Sequence, residues 1–183
     1  MFSLKFSTIA IVLGLLYATP GIYGMLKPAA FAAAARKFPR YTPIGYMLML
    51  AATAWFIYYL SLETVADFAH MKNFLYIFFG AVGIGAAIFV RDFLPVRGFA
   101  CLLLLTAKLV TDSARLVESD WRLVLVTWAY VWIITGMWFT ISPWRLRDWI
   151  NWSTASETRT RMFGGSRAAF GLFVMALGFT VFK

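Results

Sequence analysis

The sequence has very few residues of the kinds that build metal, redox or disulfide chemistry. Its 183 residues include one cysteine, Cys101, and one histidine, His70. A single cysteine excludes a disulfide within the chain, and a single histidine excludes His-rich metal sites and bis-histidine haem ligation within one chain. We expect Cys101 to be a packing residue of an apolar segment and His70 to be a solvated loop residue.

Charged residues are also scarce. They make up 14% of the chain, against about a quarter in soluble domains, while 62% of the residues are hydrophobic. The formal net charge is nevertheless +9, which in a soluble protein would suggest nucleic-acid binding. Between long apolar runs, basic residues are instead typical of the loops of a membrane protein. The composition therefore predicts an integral membrane protein whose partners include anionic lipid headgroups, and no nucleic acid.

Six apolar stretches are candidates to cross a bilayer, which takes roughly 20 helical residues. They cover residues 6–26, 44–62, 73–90, 99–117, 121–141 and 168–182. The last of them is short, so we expect it to tilt little or to begin earlier. Two further segments, 28–38 and 144–161, combine aromatic anchors with basic residues and predict short helices in the headgroup region. The predicted fold class is all-α: one polytopic membrane domain, a six-transmembrane-helix bundle with two short cytoplasmic interfacial amphipathic helices.

The distribution of Lys and Arg predicts the orientation. Eleven fall on the side of the first, third and fifth loops, and five fall on the other side. The positive-inside rule then places these three loops in the cytoplasm and both termini outside. The first apolar run is preceded only by Lys5 and followed by basic residues, the reverse of a secretory signal, so we expect a retained first span.

The fourth stretch carries the least lipid-compatible surface of the chain. Lys108, Asp112 and Arg115 are spaced by four and three residues and so share one helical face. A charge at the centre of a spanning helix costs roughly 2.5–3.5 kcal/mol. A span over 99–117 places Lys108 close to the midplane, which makes these residues candidates for a binding or transport site.

The order of these charges predicts how they pair. Helical side chains lean toward the N-terminus, which favours an Asp112–Arg115 pair and leaves Lys108 in need of another partner. The candidates are Tyr130 or Thr127 of the next span, a carboxylate of another chain, a lipid phosphate, or cavity water. The functional interpretation is an ion or proton path or a bound anion. The structural interpretation is a buried network that fixes helix packing, with Arg115 reaching the outer surface.

Other motifs are uninformative about chemistry. There are no paired intramembrane acids, no His-containing zinc motif and no serine-centred glycine motif, so catalysis is not supported. No cofactor or metal site is implied. A bound lipid is expected, and the aromatic content leaves a bound pigment or quinone open.

Gly80, Gly83 and Gly85 predict a helix-packing seam on the third span.

The C-terminal part of the chain has a span ending in Ser-Pro with arginines, followed by a returning glycine-rich span. The residues concerned are Gly136, Ser142-Pro143-Trp144-Arg145, Arg161, Gly164, Gly171-Leu172 and Gly178. Through these residues, the segment 130–181 resembles a family of very small two-span bacterial inner-membrane proteins of unknown function. The resemblance implies a bacterial cytoplasmic membrane and no particular chemistry.

Two functions are favoured over a third, an intramembrane enzyme, for which the motifs give little support. The first is a non-catalytic membrane protein that acts by association, as an accessory, scaffold or assembly subunit, with other membrane subunits or further copies of itself as partners. The alternative is a small oligomeric transporter or channel that uses Lys108, Asp112 and Arg115.

Overall fold

The computed structural model describes residues 5–62 and 71–182, and in these ranges the chain is helical with no strand. The predicted loop that contains His70 lies outside the described residues. Within these two ranges, eight α-helices follow one another, with a 3-10 turn at Phe38–Arg40 after the second. They are α1 (Phe6–Leu26), α2 (Pro28–Lys37), α3 (Thr42–Leu62), α4 (Lys72–Phe89), α5 (Leu94–Ala114), α6 (Arg122–Ile141), α7 (Trp144–Ser153) and α8 (Glu157–Thr180).

Six of these helices are long and apolar enough to cross a membrane: α1, α3, α4, α5, α6 and α8. The all-α prediction and the six candidate spans are therefore confirmed for the part of the chain that the structure describes. The chain forms two compact units. Unit 1 comprises Met1–Lys37, Thr106–Ile134 and Arg147–Lys183, and unit 2 comprises Phe38–Leu105 and Thr135–Leu146.

Unit 1 is built on close antiparallel packing of α1 against α8. A Cβ atom added to Gly14 would lie 2.6 Å from the carbonyl oxygen of Gly171, and one added to Gly21 would lie 2.7 Å from that of Gly164. Only glycine allows the two backbones to approach this closely. Without a side chain at these positions, the helices touch through their main chains along two full turns.

The two ends of the described chain also meet in unit 1. The rings of Phe6 and Phe182 lie 4.7 Å apart, edge to face, and both are buried. At the other end of the α1–α8 pair, Arg36 of α2 donates from Nε to Thr154 Oγ1 at 3.0 Å and from a terminal nitrogen to the Thr154 carbonyl oxygen at 2.6 Å. These bonds fix α2 beside the turn between α7 and α8.

Unit 2 contains the glycines that predicted a packing seam. A Cβ added to Gly83 of α4 would collide with the Thr53 side chain of α3, whose hydroxyl donates to the Met49 carbonyl oxygen at 2.8 Å. A Cβ on Gly80 would meet only Ile57 at 3.8 Å, and one on Gly85 would meet nothing within 4 Å. The close contact of α3 and α4 therefore depends on Gly83 alone among the three glycines.

The C-terminal helices differ from the prediction. The second amphipathic helix, predicted over 144–161, ends at Ser153, and the last long helix begins at Glu157 instead of residue 168. Ser156 caps this helix by accepting a hydrogen bond from the Arg159 N–H at 3.2 Å, and Glu157 provides an acidic first turn. A capped polar start makes α8 24 residues long.

Candidate functional site

Lys108 and Asp112 project from the C-terminal half of α5. The helix runs from Leu94 to Ala114, so its midpoint is residue 104 and Lys108 is one turn beyond it. Lys108 lies six residues before the end of the helix, which is about 9 Å along the axis. The prediction placed Lys108 at the middle of a span over 99–117, and the earlier start and end of α5 place it nearer to the C-terminal end of its helix.

The structure pairs Lys108 with Asp112. The Lys108 Nζ atom lies 2.8 Å from Asp112 Oδ2, as a hydrogen-bonded i,i+4 ion pair. Both side chains are exposed, to 43% and 45%. The predicted Asp112–Arg115 pair is therefore replaced by a Lys108–Asp112 pair. A four-residue separation leaves the two side chains about 40° apart around the helix, and the flexible lysine stem reaches forward over one turn.

Arg115 is not on the same helical face because α5 ends before it. The last helical residue is Ala114, and Arg115 is the first residue of a turn. Arg122 explains the end point, since its guanidinium donates to the carbonyl oxygens of Ala114 and Val117. A basic side chain that satisfies the last carbonyl groups is a common helix stop. The predicted charged stripe is thus an ion pair on α5 with Arg115 beyond it.

The predicted partners on the next helix do not take part in this pair. Tyr130 of α6 is 59% exposed, and no hydrogen bond joins its hydroxyl to Lys108 within the described ranges. Thr127 is likewise exposed. Lys108, Asp112, Arg115 and Tyr130 therefore do not form one enclosed site.

A second cluster, which we call the aromatic niche, consists of Tyr17, Trp128, Trp132 and Phe170. These rings come from α1, α6 and α8 of unit 1. The Trp128 and Phe170 rings lie 4.6 Å apart, and the Tyr17 ring lies 5.7 Å from Trp128, 5.9 Å from Phe170 and 6.4 Å from Trp132. Such distances are typical of edge-to-face and offset ring pairs.

The aromatic niche encloses a small cavity. Its volume is about 10 Å³, and Gly14 and Gly171 complete its lining together with Leu13, Leu125 and Val174. Rigid rings from α6 cover the place where α1 and α8 are held in backbone contact, and they leave a gap there. This volume is near the lower limit for one water molecule.

Three nitrogen donors at the aromatic niche have no acceptor. The indole Nε1 atoms of Trp128 and Trp132 and the Nε atom of Arg167 are buried, and none has a hydrogen-bond partner among the described residues. A buried donor without a partner costs roughly 1–3 kcal/mol. The Arg167 guanidinium lies 5.2 Å from the centre of the Tyr17 ring, which gives it a cation–π contact.

Arg167 also has no carboxylate within the described ranges. The ion pairs there join Lys108 to Asp112, Arg147 to Asp148 and Arg161 to Glu157, at 2.8, 2.8 and 4.0 Å. Among the residues that the structure describes, the aromatic niche therefore presents donors and one positive charge without an anion to balance them.

Sequence reasoning assigned Arg167 to a cytoplasmic loop, but it lies ten residues inside α8. The available signal was the spacing of Gly164, Gly171 and Gly178 by seven residues, which repeats on one helical face. That spacing continues a helix through Arg167. The partnerless indole groups had no signal in the sequence, because their environment depends on three helices that are distant along the chain.

Comparisons with protein-family models, curated proteins and solved structures give no match to this chain.

Proposed function

We propose that this protein is a non-catalytic, six-span membrane protein that works by association, as an accessory, scaffold or assembly subunit. The Lys108–Asp112 ion pair carries the proposal. It is exposed on α5, a helix that is otherwise apolar enough to cross a membrane. The surface around this pair is the place where a partner helix, from another subunit or a second copy of the chain, docks.

The physical reason is the cost of presenting an ion pair to hydrocarbon. Charged groups in a spanning helix face protein or water far more often than lipid tails. Lys108 lies about 9 Å from the end of its helix, well below the headgroup level if α5 fills the hydrocarbon core. A partner with polar or charged side chains shields the pair and adds hydrogen bonds. Such interhelical bonds contribute roughly 0.6–2 kcal/mol each in membranes.

The packing of unit 1 supports the membrane topology within this proposal. Phe6 and Phe182 are in contact, which supports both termini on one side. Arg36 and Thr154 are bonded, which supports the first and fifth loops on the other side. With the excess of basic residues in those loops, the proposed arrangement has cytoplasmic loops and external termini. The C-terminal resemblance favours a bacterial inner membrane.

The transporter alternative would need Lys108 and Asp112 to line a path. The two charges instead neutralise each other on an exposed surface, and the cavity of unit 1 is lined by α1, α6 and α8. The association proposal therefore explains more of the geometry. Unchanged ion or proton flux in vesicles after Lys108→Met would separate the pair from any transport activity.

The experiment is purification from native membranes in a mild detergent, followed by measurement of the mass of the complex. The test variant is the charge-removing double substitution Lys108→Met with Asp112→Leu. The matched control is Arg147→Gln with Asp148→Asn, because that ion pair on α7 has the same 2.8 Å length and side chains exposed to 41% and 50%.

We expect the wild type and the control to retain a partner or a second copy, and the test variant to lose it at unchanged helix content. Retention by the test variant would contradict the proposal. So would an isolated monomer from wild-type membranes, because nothing would then cover the pair. Such a monomer would mean that the Lys108–Asp112 side chains reach the lipid headgroups and need no protein partner.

A further inference from the structure

We propose that the aromatic niche and Arg167 bind an acidic membrane amphiphile, whose carboxylate or phosphate oxygens accept the hydrogen bonds of Arg167 and of the two indole groups. The inference uses only the membrane location from the proposed function, and it concerns α1, α6 and α8 rather than the partner surface of α5.

The first argument is that the buried nitrogen atoms at the aromatic niche are all hydrogen-bond donors. Trp128 and Trp132 offer indole N–H groups, which donate and cannot accept. Arg167 offers up to five N–H donors and a permanent charge. None of the three nitrogen atoms named above has an acceptor within the described part of the chain. A ligand that satisfies this set must bring oxygens that accept, and a negative charge makes those bonds shorter and about twice as strong.

The second argument is the position of Arg167 along α8. It lies six residues beyond Arg161, about 9 Å further from the polar start of the helix. The residues that follow it in α8 are almost entirely apolar. An anion that reaches Arg167 from a membrane therefore passes apolar residues, which favours an amphiphile over a water-soluble anion.

The third argument is the size of the cavity. About 10 Å³ admits one oxygen-sized group and not a ring. In this arrangement a planar pigment or quinone headgroup does not enter between the helices. Arg167 is not among the residues that line this almost entirely apolar cavity, so the acid group binds beside the cavity, at the Arg167 guanidinium, and the rest of the ligand lies against lipid-facing surface.

The test measures lipid binding to the full-length, delipidated protein by native mass spectrometry. The probes are phosphatidylglycerol, phosphatidylcholine of the same chains, oleate and oleyl alcohol. We expect an acidic probe to bind at least about tenfold more tightly than its neutral counterpart. Preference for phosphatidylglycerol alone identifies a phospholipid site, and preference for oleate alone identifies a fatty-acid site. Both results support the proposal, and no preference for either acid overturns it.

Variants locate the site. We expect Arg167→Gln to lower the affinity for the acidic probe about tenfold. Arg167→Lys should restore part of this affinity, since the charge returns without the planar donor fork. Arg161→Gln is the matched control on the same helix, because Arg161 is exposed and near Glu157. An equal loss in the control would show general charge attraction and overturn the proposal.

Trp132→Phe keeps the test decisive if Arg167→Gln does not fold. This substitution removes one buried indole donor, keeps an aromatic ring and changes no charge. We expect it to lower the affinity for the acidic probe about threefold to tenfold. Unchanged affinity would overturn the role of the indole donors. A failed partner assay with intact lipid binding would affect only the association proposal, and the reverse result would affect only this one.

Discussion

The contact between α1 and α8 predicts an unusual effect of a single methyl group. A Cβ added to Gly171 would lie 2.5 Å from the Ala18 nitrogen and 2.6 Å from the Gly14 carbonyl oxygen. Both neighbours are backbone atoms of α1, so no side-chain rotation relieves the overlap. Ordinary contact begins at 3.4 Å, and Gly171→Ala therefore requires the two helices to separate by about 0.9 Å at this point.

The magnitude follows from this overlap. Overpacking of a well-packed interface costs typically 1–3 kcal/mol, whereas glycine to alanine in a helix otherwise gains up to about 1 kcal/mol. We expect Gly171→Ala to be about 2 kcal/mol less stable than a matched alanine variant elsewhere in the same helix. For a chain of this size, that difference lowers the melting temperature by about 4–8 °C.

The assay is thermal unfolding in one detergent, followed by circular dichroism. Gly165→Ala is the matched control, because its Cβ would meet only the flexible Met25 side chain at 3.6 Å. Gly85→Ala is a second control with nothing within 4 Å. We expect both controls to melt at or above the wild-type temperature. A Gly171→Ala protein as stable as Gly165→Ala would refute the backbone contact of α1 and α8.

Three further predictions concern ion pairs and caps. Lys108→Met alone should destabilise the protein by about 1 kcal/mol because it leaves the Asp112 carboxylate without its cation, and adding Asp112→Leu should recover most of this loss in the same melting assay. Ser156→Ala should cost about 1 kcal/mol through the lost cap of α8, and Ser156→Asp should restore the wild-type melting temperature. Arg36→Gln should cost about 1 kcal/mol and speed proteolysis of α2, while Thr154→Val should do so less because the carbonyl acceptor remains.

The all-α class and the number of long apolar helices could be predicted, because the length of an apolar stretch is a property of the local sequence. The end of α5 could not, because it depends on Arg122 reaching back to the Ala114 carbonyl across a turn. Without that contact, the sequence places Arg115 on the same helical face as Lys108 and places Lys108 at the middle of the helix. The flexible lysine stem also reaches forward over one turn, against the general lean of helical side chains.

The start of α8 was wrong for a related reason. Polar residues and two consecutive glycines between 153 and 165 are typical of a loop, and the prediction treated them so. Ser156 is instead a helix cap, and Gly164 is glycine because Gly21 of α1 lies against it. A glycine that permits close helix packing and a glycine that ends a helix look the same until the partner helix is known. Because the predicted helix began too late, Arg167 was assigned to a loop, and its position at the aromatic niche was missed.

The claim that a partner covers the Lys108–Asp112 surface is tested most directly by photo-crosslinking in intact native membranes. A photoreactive residue replaces Thr111, which is beside the pair on α5, and in a matched sample it replaces Ile84, which is exposed on α4. We expect a defined protein crosslink from Thr111 that disappears when Lys108→Met and Asp112→Leu are added, and only lipid adducts from Ile84. Lipid adducts alone from Thr111 would contradict it.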